Sequence, residues 1–179
     1  MDLFSFTDIT FLVGRQIGRR PSIFFSIAQN CSYGWPAAIR NAPFDDDGNP
    51  NPNLYYLCCP FLSRRLAQLE GSGFTEMLQQ QIAKDQRLAA ALVQVQANHA
   101  REWEAAAGGP ARTIPPGPRI AASSGDLLLK CLHAHCAYYL AHQDYAVGRL
   151  IFEEINELWC NDERCRGWMS EITAARARE

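Results

Sequence analysis

The residues of this chain best equipped for chemistry are its seven cysteines and the histidines set among them. Thiolate and imidazole are the usual ligands of zinc, and thiolates hold iron–sulfur clusters, so a metal centre is the sharpest expectation. The densest group is Cys131-Leu-His133-Ala-His135-Cys136. On a helix Cys131 and His135, four apart, share one face and are placed to grip one ion together, while His133 and Cys136 share another. One helix therefore presents all four to a single ion only if it starts or bends here. The competing reading makes Cys131 and Cys136 small core residues, since free cysteine is often buried. Cys160 and Cys165 follow Trp159 at a spacing wider than Cys-x-x-Cys, which suits an irregular loop supplying one thiolate or two. Cys31 opens Cys31-Ser-Tyr-Gly-Trp-Pro36, and Cys58 and Cys59 precede Pro60. Gly34 beside Cys31 would let backbone approach a cluster closely.

His99 stands seven residues after Leu92 and four before Trp103, on the apolar stripe of a long helix. Such a histidine is ordinarily a hydrogen-bonded core residue, although acid–base work and metal ligation are both open to it, with Glu102 near enough to orient it. Other motifs fail on inspection. In the Asp45-Asp46-Asp47-Gly48 run, Pro43 and Leu54 fall where the first and twelfth ligands of a calcium loop belong. The chain has no phosphate-binding glycine loop, no Gly-x-Ser-x-Gly elbow, no His-Glu-x-x-His and no Pro-Cys-x-x-Cys.

These residues are positioned by elements of two kinds. β-Branched and aromatic runs at 22–28, 36–40 and 54–59 predict three neighbouring strands, with a turn at Asp45–Pro50 and Pro60 ending the third. Helices are expected over 5–18, Phe61–Glu70, Thr75 to about Ala106 with a possible break, Asp126–Gln143, Val147–Trp159 and Arg166–Ala177. Strands come first and helices follow, so the expected class is α+β: a small antiparallel sheet of about three strands covered by four or five helices. A single domain over 1–179 is expected, with a mobile, exposed Pro/Gly-rich loop at 107–122.

Composition narrows the function classes. Apolar content of 47% with 20% charged residues is ordinary for a soluble globular protein and argues against wholesale disorder. The net charge of −2, from 17 basic and 19 acidic residues, supplies no field for nucleic acid. No apolar stretch reaches the ~20 residues of a membrane span. The first residues lack the pattern of a secretory signal, so a cytoplasmic location is the expectation, where cysteines stay reduced. The odd cysteine count also disfavours complete disulfide pairing.

The ordered set Cys31-Ser-Tyr-Gly-Trp-Pro36, Leu54-Tyr55-Tyr56-Leu57-Cys58-Cys59-Pro60, Leu69-Glu70 and Lys130-Cys131-Leu132-His133 resembles an uncharacterised bacterial family, catalogued as domain of unknown function 501. The resemblance covers roughly residues 10–165. It implies that Cys31, Cys59, Cys131 and His133 occupy motif positions. It further implies that Cys160 matches a cysteine near the C-terminus and that His99 stands where the family carries a histidine. Tyr138 stands where many relatives place a second histidine, and His135 and Cys136 are particular to this chain. The family implies no activity. Together these signals favour a centre built from Cys31, Cys59, Cys131 and Cys160, holding zinc or an iron–sulfur cluster. His133, His99, His135 and Cys165 are then partners or alternative ligands. Two other classes stay open. One is a protein-interaction module without chemistry, docking a partner protein. The other is a cysteine-dependent enzyme with Cys31, Cys59 or Cys131 as nucleophile and His99 or His133 as base.

Overall fold

The structure is a computed structural model that describes residues 4–108 and 118–176. Three strands, β1 (Phe25–Asn30), β2 (Pro36–Asn41) and β3 (Tyr55–Leu57), form an antiparallel sheet in the order β1-β2-β3. β2 is central and its first four residues are buried. Ile27 pairs with Ile39, and Ala38 with Leu57, while register shifts around Gln29 mark a bulge in β1. The antiparallel register brings the end of β1, the start of β2 and the end of β3 to one rim. The chain leaves that rim through Cys31 and through Cys58–Cys59.

Seven α-helices are found among the described residues: α1 (Phe6–Ile17), α2 (Pro60–Gly71), α3 (Phe74–Lys84), α4 (Gln86–Ala106), α5 (Leu132–Ala141), α6 (Ala146–Glu153) and α7 (Arg164–Arg176). That is more than the four or five expected, and Asp85 explains part of the difference. It takes an extended conformation and its side chain caps the amides of Arg87 (2.8 Å) and Leu88 (3.3 Å), so the expected 75–106 helix becomes α3 and α4. At the other end of the chain a capping box between Ser5 and Asp8 starts α1, and Gly18, at φ 74°, ends it.

The helices form a layer on each side of the sheet. On one side α1 places Val13 against Phe25, Ile39 and Cys58, and α7 packs Cys165 and Met169 beside Leu12 of α1. On the other side lies the larger core, with Leu62 and Leu66 of α2, Leu78 and Ile82 of α3, Leu92 and Trp103 of α4, and Val147 and Ile151 of α6. Within this layer α5 is buried on nearly every side, through Leu132, His135, Cys136, Ala137, Tyr138 and Leu140. Its sequence has no Asp, Glu, Lys or Arg, as suits a central helix.

The loop expected to be mobile over 107–122 has its central part, 109–117, outside the described residues. Its end is held in place. His99 Nδ1 donates to the Pro118 carbonyl (2.7 Å), the Ile120 amide to Gln96 Oε1 (2.8 Å) and the Ala121 amide to Asn53 Oδ1 (3.0 Å). No helix among the described residues is long and apolar enough to cross a membrane.

Candidate metal centre

The start of α5 lies six residues beyond the expected Asp126, and this changes what its cysteine can do. Cys131 is not in the helix but is its N-cap, extended at φ −152° and ψ 117°, and it makes no side-chain cap. The cap comes from Glu70 in the last turn of α2, whose Oε1 accepts the Leu132 amide at 2.8 Å. The positive end of α5 favours a carboxylate there. The same oxygen lies 3.3 Å from His133 Nδ1, and the ring's other nitrogen, Nε2, lies 3.0 Å from the Ser63 carbonyl. The ligand atoms of Glu70, Cys131 and His133 all fall within 4.8 Å of one another, and all three residues are half-buried.

Both partners of the His133 ring, a carboxylate and a carbonyl, can only accept, so in the metal-free protein both nitrogens carry protons. Its pKa is raised to about 9 by the hydrogen bond with Cys131, opposed by burial and aided by the Glu70 charge. A metal would replace the Nδ1 proton while Nε2–H keeps its bond to Ser63, the arrangement that fixes the tautomer of a ligating histidine. A tetrahedral zinc ion sets its ligand atoms about 3.3–3.8 Å apart. Glu70 and His133 already stand at 3.3 Å, so the residues fit the ion with modest closure of the thiol. Three ligands leave one position open, the pattern of catalytic zinc sites. A cavity of about 420 Å³ lies alongside, lined by Asn53, Tyr55, Tyr56, Lys130, Cys131 and His133 among others. Nucleophilic catalysis by Cys131 is less well served. Nε2 is committed to Ser63 and Nδ1 is shared with Glu70, so neither ring nitrogen belongs to the thiol alone.

The other cysteines named from the sequence gather elsewhere. Cys31, Cys59 and Cys160 line one small cavity together with Cys165, Gln16, Trp35 and Trp159. Cys31 lies in the turn after β1, where Gly34 at φ 84° donates its amide to the Cys31 carbonyl (2.9 Å). Cys59 is the N-cap of α2, ahead of Pro60. Burial raises its pKa, against the lowering pull of the Leu62 and Phe61 amides. Burial likewise raises Cys165 to about 11, while Gln16 Nε2, 3.4 Å from its sulfur, pulls the other way. Cys131 does not join this group and lines the separate cavity described above.

A model of the family described as Protein of unknown function (DUF501) matches residues 27–153. The chain belongs to that family. No curated protein matches it, and neither does any solved structure. The family segment runs from β1 to the end of α6. It contains Cys31, Cys59, Glu70, Cys131 and His133, and stops short of Cys160 and Cys165.

The remaining sequence candidates take structural places. His135 is not paired with Cys131. It is fully buried, its Nδ1 shares a 2.9 Å hydrogen bond with the Tyr145 hydroxyl, and burial drives its pKa down to about 3. His99 is also buried, and burial lowers its pKa, so it serves as a neutral donor to Pro118. Cys58 and Cys136 are buried, and burial pushes the Cys136 thiol up to about 12.

Sequence reasoning gave Glu70 no role beyond its place in a motif, and it missed His142 altogether. Glu102 orients His142 rather than His99. Its carboxylate accepts from the Tyr55 hydroxyl (2.7 Å), the Tyr138 hydroxyl (2.9 Å) and His142 Nε2 (3.3 Å). Burial pushes its pKa up, but these three donors outweigh it and hold Glu102 at about 2. Spacing alone cannot show such a hub, because its donors come from β3, from α5 and from the residue that ends α5.

Proposed function

We propose that this protein is a metalloprotein whose centre is formed by Glu70, Cys131 and His133 and takes zinc. The observation that supports the reading is the meeting of one carboxylate, one thiol and one imidazole within 4.8 Å, with the second ring nitrogen anchored on Ser63. Zinc bound there supplies a Lewis acid at its open position. The chain's own residues do the rest. Glu70 brings negative charge to the positive end of α5, the Ser63 carbonyl fixes the ring, and the cavity lined by Tyr55, Tyr56 and Lys130 lies alongside. In the resting protein His133 holds the Nδ1 proton that binding releases.

The test is zinc and cobalt binding to the full chain, read by metal content after dialysis and by the thiolate-to-cobalt absorption. One equivalent should disappear in Cys131→Ser and in His133→Gln, and Cys136→Ser should keep it. Unchanged metal content in both of the first two variants, with the fold intact by circular dichroism, overturns the reading.

A further inference from the structure

We infer that Cys31, Cys59, Cys160 and Cys165 form a second, all-thiolate site, and that its occupant is an iron–sulfur cluster. The four residues come from the turn after β1, the N-cap of α2, the segment between α6 and α7, and the first turn of α7. Segments so distant in sequence have no local reason to bring four thiols to one cavity. Disulfides do not account for the gathering, because all four are free.

The spacing separates the two usual occupants. A single tetrahedral zinc ion needs its four sulfurs mutually within about 4 Å. Among the described residues, the one group of three metal-ligating side chains within 4.8 Å of one another is Glu70, Cys131 and His133. No three of these four thiols therefore stand at zinc spacing. A cluster spreads its four thiolates over two or more irons and needs no such trio.

The surroundings point the same way. Cluster sulfurs are stabilised by N–H donors and by exclusion of water. Gln16 Nε2 reaches the Cys165 sulfur at 3.4 Å. The indole Nε1 of Trp35, which lines the cavity, is buried with no hydrogen-bond partner among the described residues. A buried indole N–H normally has a partner, and a cluster sulfide would provide one. Tyr33, Phe61 and Trp159 close the apolar wall around it. The cavity itself measures about 10 Å³, room for little more than one water, so loading has to widen it. Cys31 and Cys160, half-exposed and on irregular segments, are the two that can swing outward. Cys59 and Cys165 are buried at helix ends.

The experiment uses the full chain, purified without oxygen and then incubated with ferric iron, inorganic sulfide and a thiol reductant, which reduces the share of the iron that a four-iron cluster holds as ferrous. Two or four irons per chain with equal acid-labile sulfide are expected, at about the stoichiometry of a two-iron or four-iron cluster, with a broad visible charge-transfer band. Cys160→Ser, at a half-exposed position, should lose most of the iron while keeping its circular dichroism. Cys131→Ser should keep all of it, which separates this site from the zinc centre at Glu70. Three results overturn the inference: no iron retained, iron retained unchanged in Cys31→Ser and Cys160→Ser, or one zinc held by four thiolates instead of a cluster.

Discussion

Replacing Glu70 separates its two roles, because one substitution removes both and another removes only one. In Glu70→Ala the Leu132 amide loses its acceptor, and helix α5, whose own N-cap makes no side-chain bond, is left uncapped. A lost cap costs about 0.5–2 kcal/mol. The contact with His133 is about a third exposed on both sides, and an ion pair so exposed adds about 0.2–1 kcal/mol. The metal-free Glu70→Ala protein should therefore lose about 1–3 kcal/mol, a fall in Tm of roughly 2–4 °C per kcal/mol for a chain of this size. Glu70→Gln keeps an oxygen for the Leu132 amide and gives up only the charge, so its metal-free stability should drop by less than about 1 kcal/mol. Zinc binding should respond in the opposite order of subtlety. Both variants lose the carboxylate ligand, so both should lose more than the ~10–100-fold that removing a hydrogen-bond partner of a ligand costs. Urea denaturation with chelator present and zinc titration by calorimetry measure the two effects separately. If Glu70→Gln binds zinc as tightly as the unaltered chain, Glu70 is a helix cap and no ligand. If Glu70→Ala unfolds at the same urea concentration as the unaltered chain, the cap argument fails as well.

Two further outcomes follow from the core. Glu102 is held at about 2 against an ordinary 4.5, so its contribution is complete above 4.5 and is lost as the pH falls towards 2. Its side chain is 27% exposed, and allowing for solvent screening the contribution is about 1–2 kcal/mol. Glu102→Gln should flatten the acid limb of stability between about pH 4.5 and about pH 2, and an acid limb as steep as before would remove Glu102 as its source. At Gly148 in α6 an added Cβ would stand 2.6 Å from the Tyr139 Cβ and 2.5 Å from the Tyr145 ring. Gly148→Ala should therefore cost about 1–3 kcal/mol by overpacking, despite alanine's better helix propensity, and a rise in Tm would contradict the crowding.

The fold was largely legible, and the misses have local causes. The strands were readable because β-branched and aromatic runs are bounded by breakers, with Pro36 opening β2 and Pro60 following β3. Helix α5 was started too early because Leu127, Leu128 and Leu129 continue an apolar pattern. Leu127 and Leu128 are exposed (50% and 41%), and the chain turns there before reaching Cys131. The break at Asp85 was written in its side chain, since an aspartate inside a helical stripe is also a good N-cap. The candidate site was legible by residue type and less so by grouping. Cys31 and Cys59 meet at the rim that the antiparallel sheet presents, and Cys165 joins them because α7 packs against α1. The expected centre also holds Cys131, which instead meets Glu70 in the last turn of α2, while Cys59 precedes the first. Ten residues of helix between Pro60 and Glu70 are about 15 Å of axis, which sequence adjacency of motifs does not reveal.

What the two sites share is a departure from a local rule. Helix N-caps favour Ser, Thr, Asp or Asn, whose oxygen accepts a backbone amide. Helices α2 and α5 begin instead at Cys59 and Cys131, and neither side chain makes a cap bond. Both helices therefore start without their best cap, and α5 recovers one only by borrowing Glu70 from α2. At both positions a sulfur stands where a capping oxygen would, and at Cys59 burial raises the thiol's pKa against the lowering pull of the Leu62 and Phe61 amides. Local rules are broken chiefly where function requires it. The two broken caps coincide with the two clusters, Cys59 among four thiols and Cys131 beside a carboxylate and an imidazole. Cysteine at Cys136, inside α5, breaks no rule, and there it is a buried core residue. The contrast supports the two proposed sites, with α2 carrying Cys59 at its N-cap and Glu70 in its last turn.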